Sequence, residues 1–173
     1  EIQRRSILNA ASISNVKIVK LLNSELASAI SYVKIHNDRF PEEHEKALNV
    51  LFIELGDTCM NTSVAKLSKK KIEMKSDFCD DSICGHLFTE ILEKYLMKKV
   101  IEKYKINPQT NKRSLIRFKQ ACEKAKKTLS SNPVVLFDVP SLMNDVDVSI
   151  MIKREEFNEL IKGYNSKIKH NIE

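Results

Sequence analysis

The chain has 173 residues, enough for one ordinary domain or two small lobes. Its 42% hydrophobic and 30% charged residues describe a globular chain rather than a disordered one, and no run of about 18 apolar residues marks a membrane-spanning helix. The net charge of +6 is spread along the chain, and its densest run, Ser68-Lys69-Lys70-Lys71, reads as a solvated hairpin turn rather than a nucleic-acid contact.

Residues 2–12 predict a helix, with Ile2, Ile7, Leu8 and Ala11 near one face. Val16 to Leu22 reads as a strand and Glu25 to Lys34 as a short helix, capped by Asn23 or Ser24. His36 to Lys46 is polar, contains Pro41 and reads as a linker or exposed loop. Val50-Leu51-Phe52-Ile53 is a continuous apolar run, the pattern of a strand buried on both faces. Met60 to Leu67 and Lys71 to Lys75 predict two more strands, so the three make an antiparallel meander.

Cys84 to Lys105 predicts a long helix with Phe88, Leu92, Leu96, Val100 and Tyr104 on one stripe. Asn107-Pro108 breaks it, and Thr110 to Leu129 forms the next helix around Leu115, Phe118, Cys122, Ala125 and Leu129. Val134 to Val139 reads as a strand. Val146, Val148, Ile150 and Ile152 alternate with Asp147, Ser149 and Met151, as in a half-buried strand. Arg154 to Lys169 closes the chain as a helix, with Phe157, Leu160, Ile161 and Tyr164 inward. The class is mixed α/β.

Two stretches could carry chemistry. After the apolar strand, Glu54 to Asn61 puts a carboxylate and a glycine turn where backbone N–H groups can face phosphate oxygens; a plain hairpin turn with a surface acid has the same composition. Along the helix at 110–129, Lys119, Glu123, Lys126, Lys127 and Ser130 follow helical spacing. That face is either solvated or the wall of a cleft that holds a nucleoside. The four cysteines, at 59, 79, 84 and 122, form no CxxC pair, and Cys79, Cys84 and His86 lack a second ligand pair. No metal site is expected, and reduced thiols fit an intracellular protein. With three glycines there is no Walker-type loop and no GxGxxG. No nucleophile–base arrangement stands out either, so no catalytic residue is assigned. The chain starts at Glu1 inside a helix-like pattern, as an excised piece would.

Ser141-Leu142-Met143-Asn144-Asp145-Val146-Asp147-Val148-Ser149, followed by Arg154-Glu155-Glu156-Phe157-Asn158-Glu159-Leu160, is very similar to the large exchange-factor branch (heat-shock protein 110) of the heat-shock protein 70 superfamily. The stretch from Ala121 to Ser131 resembles that superfamily's adenosine-contact helix. Asn23 to Tyr32 resembles the Asn-x-x-Thr-Ala-Ala-x-x-x-Tyr segment that closes the preceding lobe, with Leu26 in place of the threonine. Ile83 to Phe88 resembles the Leu-Gly-Gly-x-x-Phe entrance to the outer sublobe.

The resemblance implies part of an actin-like ATPase (ribonuclease H-like) fold. Residues 1–43 would end lobe I, residues 44–83 and 161–173 would form the inner sublobe of lobe II, and residues 84–160 its outer sublobe. ATP or ADP with Mg²⁺, in the complete domain, would meet Glu54, Gly56, Asp57 and Thr58 on the phosphate side. Glu123, Lys126, Lys127 and Ser130 would lie on the adenosine side. The implied role is a chaperone or co-chaperone that exchanges adenyl nucleotide on a heat-shock protein 70 partner, with unfolded clients bound by regions outside this chain. A divergent chaperone with slow ATP hydrolysis is the alternative. The cytosol is the implied compartment, with the endoplasmic reticulum lumen as the other; no nucleic-acid or membrane partner is implied.

The phosphate turn departs from the active members' Asp-Leu-Gly-Gly-Gly-Thr-Phe-Asp. This chain has Glu54-Leu55-Gly56-Asp57-Thr58-Cys59-Met60-Asn61. Two glycines are lost, Cys59 replaces the threonine and Asn61 the last carboxylate. Asp57 adds a charge that repels phosphate. These changes bear on hydrolysis more than on binding. Lys127 stands where active members commonly stack an arginine on adenine, which keeps the charge but loses the planar stack. The family's first phosphate loop and catalytic lysine belong to a preceding half, so this stretch alone is not expected to hydrolyse ATP.

Overall fold

A computed structural model describes residues 1–42 and 45–173. The expected lobe boundary between residues 43 and 44 lies outside the described residues, as does part of the expected loop at 36–46. The elements, in order, are α1 (Ile2–Ile13), α2 (Ser24–Ile35), β1 (Leu48–Leu55), β2 (Met60–Leu67), β3 (Ile72–Asp80), α3 (Gly85–Tyr104), α4 (Lys112–Leu129), β4 (Val134–Met143), β5 (Val146–Lys153) and α5 (Arg154–Ile172). Strands β1, β2 and β3 form one sheet in that order, and β4 and β5 form a hairpin. Two compact units emerge: Glu1–Phe52 with Thr62–Asp77, and Ile53–Asn61 with Phe78–Glu173. Among the described residues no helix is long and apolar enough to cross a membrane.

The first unit has a small core. Ala29 and Val33 of α2, Phe40, and Ala65 and Leu67 of β2 are buried together, with Val50, Phe52, Ile72 and Met74 against them. The Tyr32 ring meets the Phe40 and Phe52 rings edge-on, at 5.8 and 5.7 Å between centroids. Asn23 sits at the cap of α2, but its side chain accepts from Arg4 at 2.6 Å instead of capping the helix.

Three expectations are corrected here. Residues 16–22 form no strand, and Val19 is 94% exposed. An apolar alternation becomes a strand only with a ladder partner, and no neighbour among the described residues supplies one. β1 is not buried on both faces: its burial alternates, and Leu51, Ile53 and Leu55 are half exposed. A continuous apolar run does not specify how many faces the chain covers. β3 runs on to Asp80 rather than ending at Lys75.

The second unit is built around the hairpin. Asn144 and Asp145 take φ of 50° and 57°, the left-handed pair that a tight hairpin turn requires. The inner face of the hairpin, Phe137, Val139, Val148, Ile150 and Ile152, packs with Leu92, Leu96 and Val100 of α3 and Phe118, Cys122, Ala125 and Leu129 of α4. Phe118 and Phe137 meet edge to face at 5.3 Å. Burying each such side chain contributes about 1.5–3 kcal/mol. The strict alternation expected for β5 is present.

Local signals set the helix ends. The Cys84 Sγ accepts from Leu87 N at 3.4 Å to start α3, and Lys105 at φ 58° ends it. A 3₁₀ turn over Pro108–Thr110 precedes α4, which therefore begins at Lys112 under an Asn111 cap rather than at Thr110. At the start of α5, Glu156 reaches back to accept from Lys153 N at 2.8 Å. The same carboxylate accepts from the Tyr95 hydroxyl at 2.7 Å and pairs with Lys99 at 3.1 Å, which ties α5 to α3. The Lys153 backbone bond first, then Tyr95 and Lys99, hold its carboxyl down at about 2.

Candidate functional site

All four chemical groups expected on the adenosine side lie on α4 or just after it. Lys126 points its ammonium at the first turn of α3, 2.8 Å from Gly85 O and 2.7 Å from Thr89 Oγ1. The same ammonium lies 2.8 Å from Glu123 Oε2, and Lys127 lies 3.2 Å from Glu123 Oε1. The Thr89 hydroxyl also bonds the Glu123 carboxylate. The Lys126 bond foremost, then Thr89, holds the Glu123 carboxyl at about 2. Glu123 is thus an ionised hub, Lys126 is fixed by it, and Lys127 remains 73% exposed. Ser130 caps α4 with an exposed side chain, and Arg154 secures that end by donating to Leu129 O at 2.7 Å.

The phosphate-side turn is also anchored on α3. Gly56 N closes the hairpin on Cys59 O at 2.9 Å. Gly85 N and His86 N then donate to Gly56 O and Asp57 O at 2.8 and 2.9 Å. With Leu87 N on Cys84, the first N–H groups of α3 are all used within the protein, so its positive end faces carbonyls rather than an open anion site. A side chain would be tight at Gly56 but would make only ordinary contacts at Gly85. A Cβ on Gly56 would lie 3.2 Å from Cys59 O, and one on Gly85 would lie 3.4 Å from both Gly56 O and the Asp57 carboxylate. Within the turn, the N–H groups of Asp57 and Thr58 make no hydrogen bond among the described residues.

A cavity of about 700 Å³ opens between the turn, α3 and α4. It brings Gly56 and Asp57 together with Glu123 and Lys127. Lys126 and Ser130 line a neighbouring cavity of about 300 Å³, with Phe88, Leu129, Arg154 and Phe157. Gly85 borders both. Glu54 and Thr58 line neither cavity; Glu54 is half-buried on β1 and the Thr58 side chain is exposed.

Sequence reasoning missed Thr89 and Glu93. Thr89 is buried and completes the Lys126–Glu123 network. Glu93 lines the larger cavity and pairs with Lys119 at 3.7 Å. Both belong to α3 and meet α4 only after folding; the one local sign was that Gly85, Thr89 and Glu93 follow one another in steps of four.

Comparison with known proteins decides the family. The whole chain, residues 1–173, matches the family model described as Hsp70 protein. The chain belongs to this family. Its mixed α/β elements are therefore part of the actin-like ATPase fold. It is similar to Heat shock protein 88 of Dictyostelium discoideum, 41% identical over 91% of this chain and 20% of that protein. It is also similar to Heat shock 70 kDa protein 14 of Arabidopsis thaliana, 34% identical over the full chain and 20% of that protein. Heat shock 70 kDa protein 4L of Homo sapiens is 33% identical over 96% of this chain and 20% of its own length. The chain thus spans about a fifth of the curated relatives it matches.

The donor set can be tested against the nucleotide such a fold carries. An ammonium fixed by Glu123, the Ser130 side chain and the apolar Leu129 and Phe157 fit a nucleoside. On the phosphate side, two free N–H groups face the same turn as the Asp57 carboxylate. No three or more His, Cys, Asp or Glu side chains gather to hold a metal among the described residues. A divalent cation would have to be held largely by phosphate oxygens and water, as Mg²⁺ commonly is.

Proposed function

We propose that the chain is the nucleotide-side portion of an ATP-binding chaperone domain: residues 1–43 end lobe I, 44–83 and 161–173 form the inner sublobe of lobe II, and 84–160 its outer sublobe. Glu123, Lys126, Lys127 and Ser130 hold the adenosine, and Gly56, Asp57 and Thr58, with Glu54 behind them, face the phosphates. The full protein acts as an adenyl-nucleotide exchange factor for a heat-shock protein 70 partner and assists folding, binding unfolded clients through regions beyond this chain. The cytosol is the proposed compartment, with the endoplasmic reticulum lumen as the alternative.

One observation carries this reading: Glu123 and Lys126 are locked in one network on the adenosine side, while the phosphate turn keeps a single glycine, two open amides and the opposing Asp57 carboxylate. Lys126 spends its three ammonium donors on Gly85, Thr89 and Glu123, so it fixes the Glu123 carboxylate, which can accept from a ribose hydroxyl with little ordering cost. Lys127 lays its stem along the cavity and keeps its charge in solvent. The turn offers phosphate only two amides, and Asp57 opposes the phosphate charge. A bound Mg²⁺ would neutralise part of that repulsion. Binding is thereby favoured over hydrolysis, which suits a nucleotide kept as a structural ligand.

The alternative, a divergent chaperone ATPase with slow turnover, draws on Glu54, which keeps a half-buried carboxylate at the end of β1. Titration of the full-length protein with labelled ATP, alongside phosphate release, separates the two. Saturable binding with negligible release supports the exchange-factor reading. Steady release supports the ATPase, and absence of binding overturns both.

A further inference from the structure

The hairpin β4–β5 leaves one edge open beside a groove. Among the described residues β4 pairs with β5 alone. In an antiparallel pair, alternate residues turn their N–H and C=O groups away from the partner. The outer edge of β4 therefore presents unpaired main-chain donors and acceptors. The side-chain donors that reach β4 go to Pro140, Ser141 and Leu142, and the Asp147 carboxylate accepts from Ser141 N, all beyond the stretch Val134–Asp138.

Natural edges are usually blunted by lysine, proline or a bulge. Here those devices bracket the stretch without entering it. Pro133 precedes it, while Pro140 and the register shift between Val139 and Met143 follow it. Five residues remain, a flat edge of about 16 Å at the usual strand rise.

A groove of about 380 Å³ runs along this edge. Its helical wall is Ala121, Lys124, Ala125 and Thr128 of α4, and the strand itself forms the other side. Two alanines keep the wall low enough for incoming side chains. The formal charges in the groove are Lys124 on the helix and Asp138 on the strand, of opposite sign.

We propose that the outer edge of β4, Val134–Asp138, binds an extended peptide of another chain as an added strand. The peptide places small apolar side chains against Ala121 and Ala125, an acid near Lys124 and a base near Asp138. A row of alternating amide donors and acceptors is complemented by another peptide backbone, and the paired opposite charges select a mixed-charge, alternating sequence. This surface is separate from the candidate nucleotide cavities, and the inference does not depend on the function proposed for them.

The test is hydrogen exchange of the full-length protein with the capped heptapeptide Thr-Val-Lys-Val-Thr-Glu-Thr, whose valines and acid share the face turned to α4 and whose base lies on the Asp138 face. A second peptide is N-methylated at alternate residues so that one edge lacks donors. The unmodified peptide should slow exchange of the 134–138 amides about tenfold or more. The N-methylated one should bind about tenfold more weakly, the scale of one or two lost hydrogen bonds. A121F, which fills the groove, should abolish the protection; because the peptide pair leaves the protein unaltered, the test stands even if A121F does not fold. Equal protection by both peptides would overturn the proposal. So would protection confined to other regions, or edge amides already protected before any peptide is added, which would mean that the rest of the chain covers them.

Discussion

On α4, Glu123 gathers Lys126, Lys127 and Thr89 into one network, whereas at the turn after β1 the backbone bonds only to itself and to the start of α3. The first region keeps side chains fixed and pointed at a cavity. The second closes Gly56 on Cys59 and leaves only the Asp57 and Thr58 amides open, beside the Asp57 carboxylate. Both are anchored on the same turn of α3, through Gly85 and Thr89 in one case and Gly85 and His86 in the other. On the proposed assignment, nucleoside recognition and phosphate chemistry separate within one fold. Rigid side-chain contacts sustain binding, while hydrolysis needs open, glycine-lined backbone.

Substitutions on either side can break or sharpen that contrast. K126A in the full-length protein should weaken ATP binding about tenfold to a hundredfold, since it removes a charge-assisted contact worth about 1.5–3 kcal/mol. Equilibrium titration reads this directly, and an unchanged affinity would remove Lys126 from the site. D57G should act in the opposite sense, raising affinity for ATP about fivefold in Mg²⁺-free, low-salt buffer. The gain should shrink as salt is added, because it is Coulombic; no gain at low salt would place phosphate away from the turn.

The network itself predicts a pH dependence. Glu123 is held at about 2, below its ordinary 4.5, so its ionised form stabilises the folded state above pH 4.5. That contribution disappears as pH falls from 4.5 towards 2. The difference in urea midpoint between wild type and E123Q should therefore be largest near neutrality and shrink across that window. Glu156 titrates in the same range but is present in both proteins and cancels. A constant difference would mean that Glu123 is not held by Lys126 and Thr89. The smallest effect is expected from K127R, about a twofold gain in ATP affinity as a planar group replaces an exposed ammonium. A loss of affinity would show that Lys127 acts through its pairing with Glu123 alone.

Much of the second unit was legible because its periodicities are strict. The stripe Leu92–Leu96–Val100 and the alternation Val148–Ile150–Ile152 each name a face, and each of these residues is buried. Residues 16–22 and β1 were misread for a common reason: apolar composition reports a tendency to be covered, but the covering partner is not local. For the site, Gly56 and Asp57 could be found from their turn, and Glu123 and Lys127 from helical spacing. Their meeting in one cavity could not, because it depends on the packing of α3 against α4. Thr89 was invisible for the same reason, since a threonine one turn into a helix is ordinary until Lys126 and Glu123 are brought against it. Nor could spacing tell that the amides of Gly85 and His86 would be spent on the turn.

The central claim, nucleotide exchange on a partner without hydrolysis of its own, is tested most directly with the full-length protein. Release of labelled ADP from a heat-shock protein 70 chaperone is followed with and without it, beside its own ATP turnover. The account predicts faster release with negligible turnover. No acceleration, together with measurable turnover, would contradict it and make the protein a divergent chaperone ATPase in its own right.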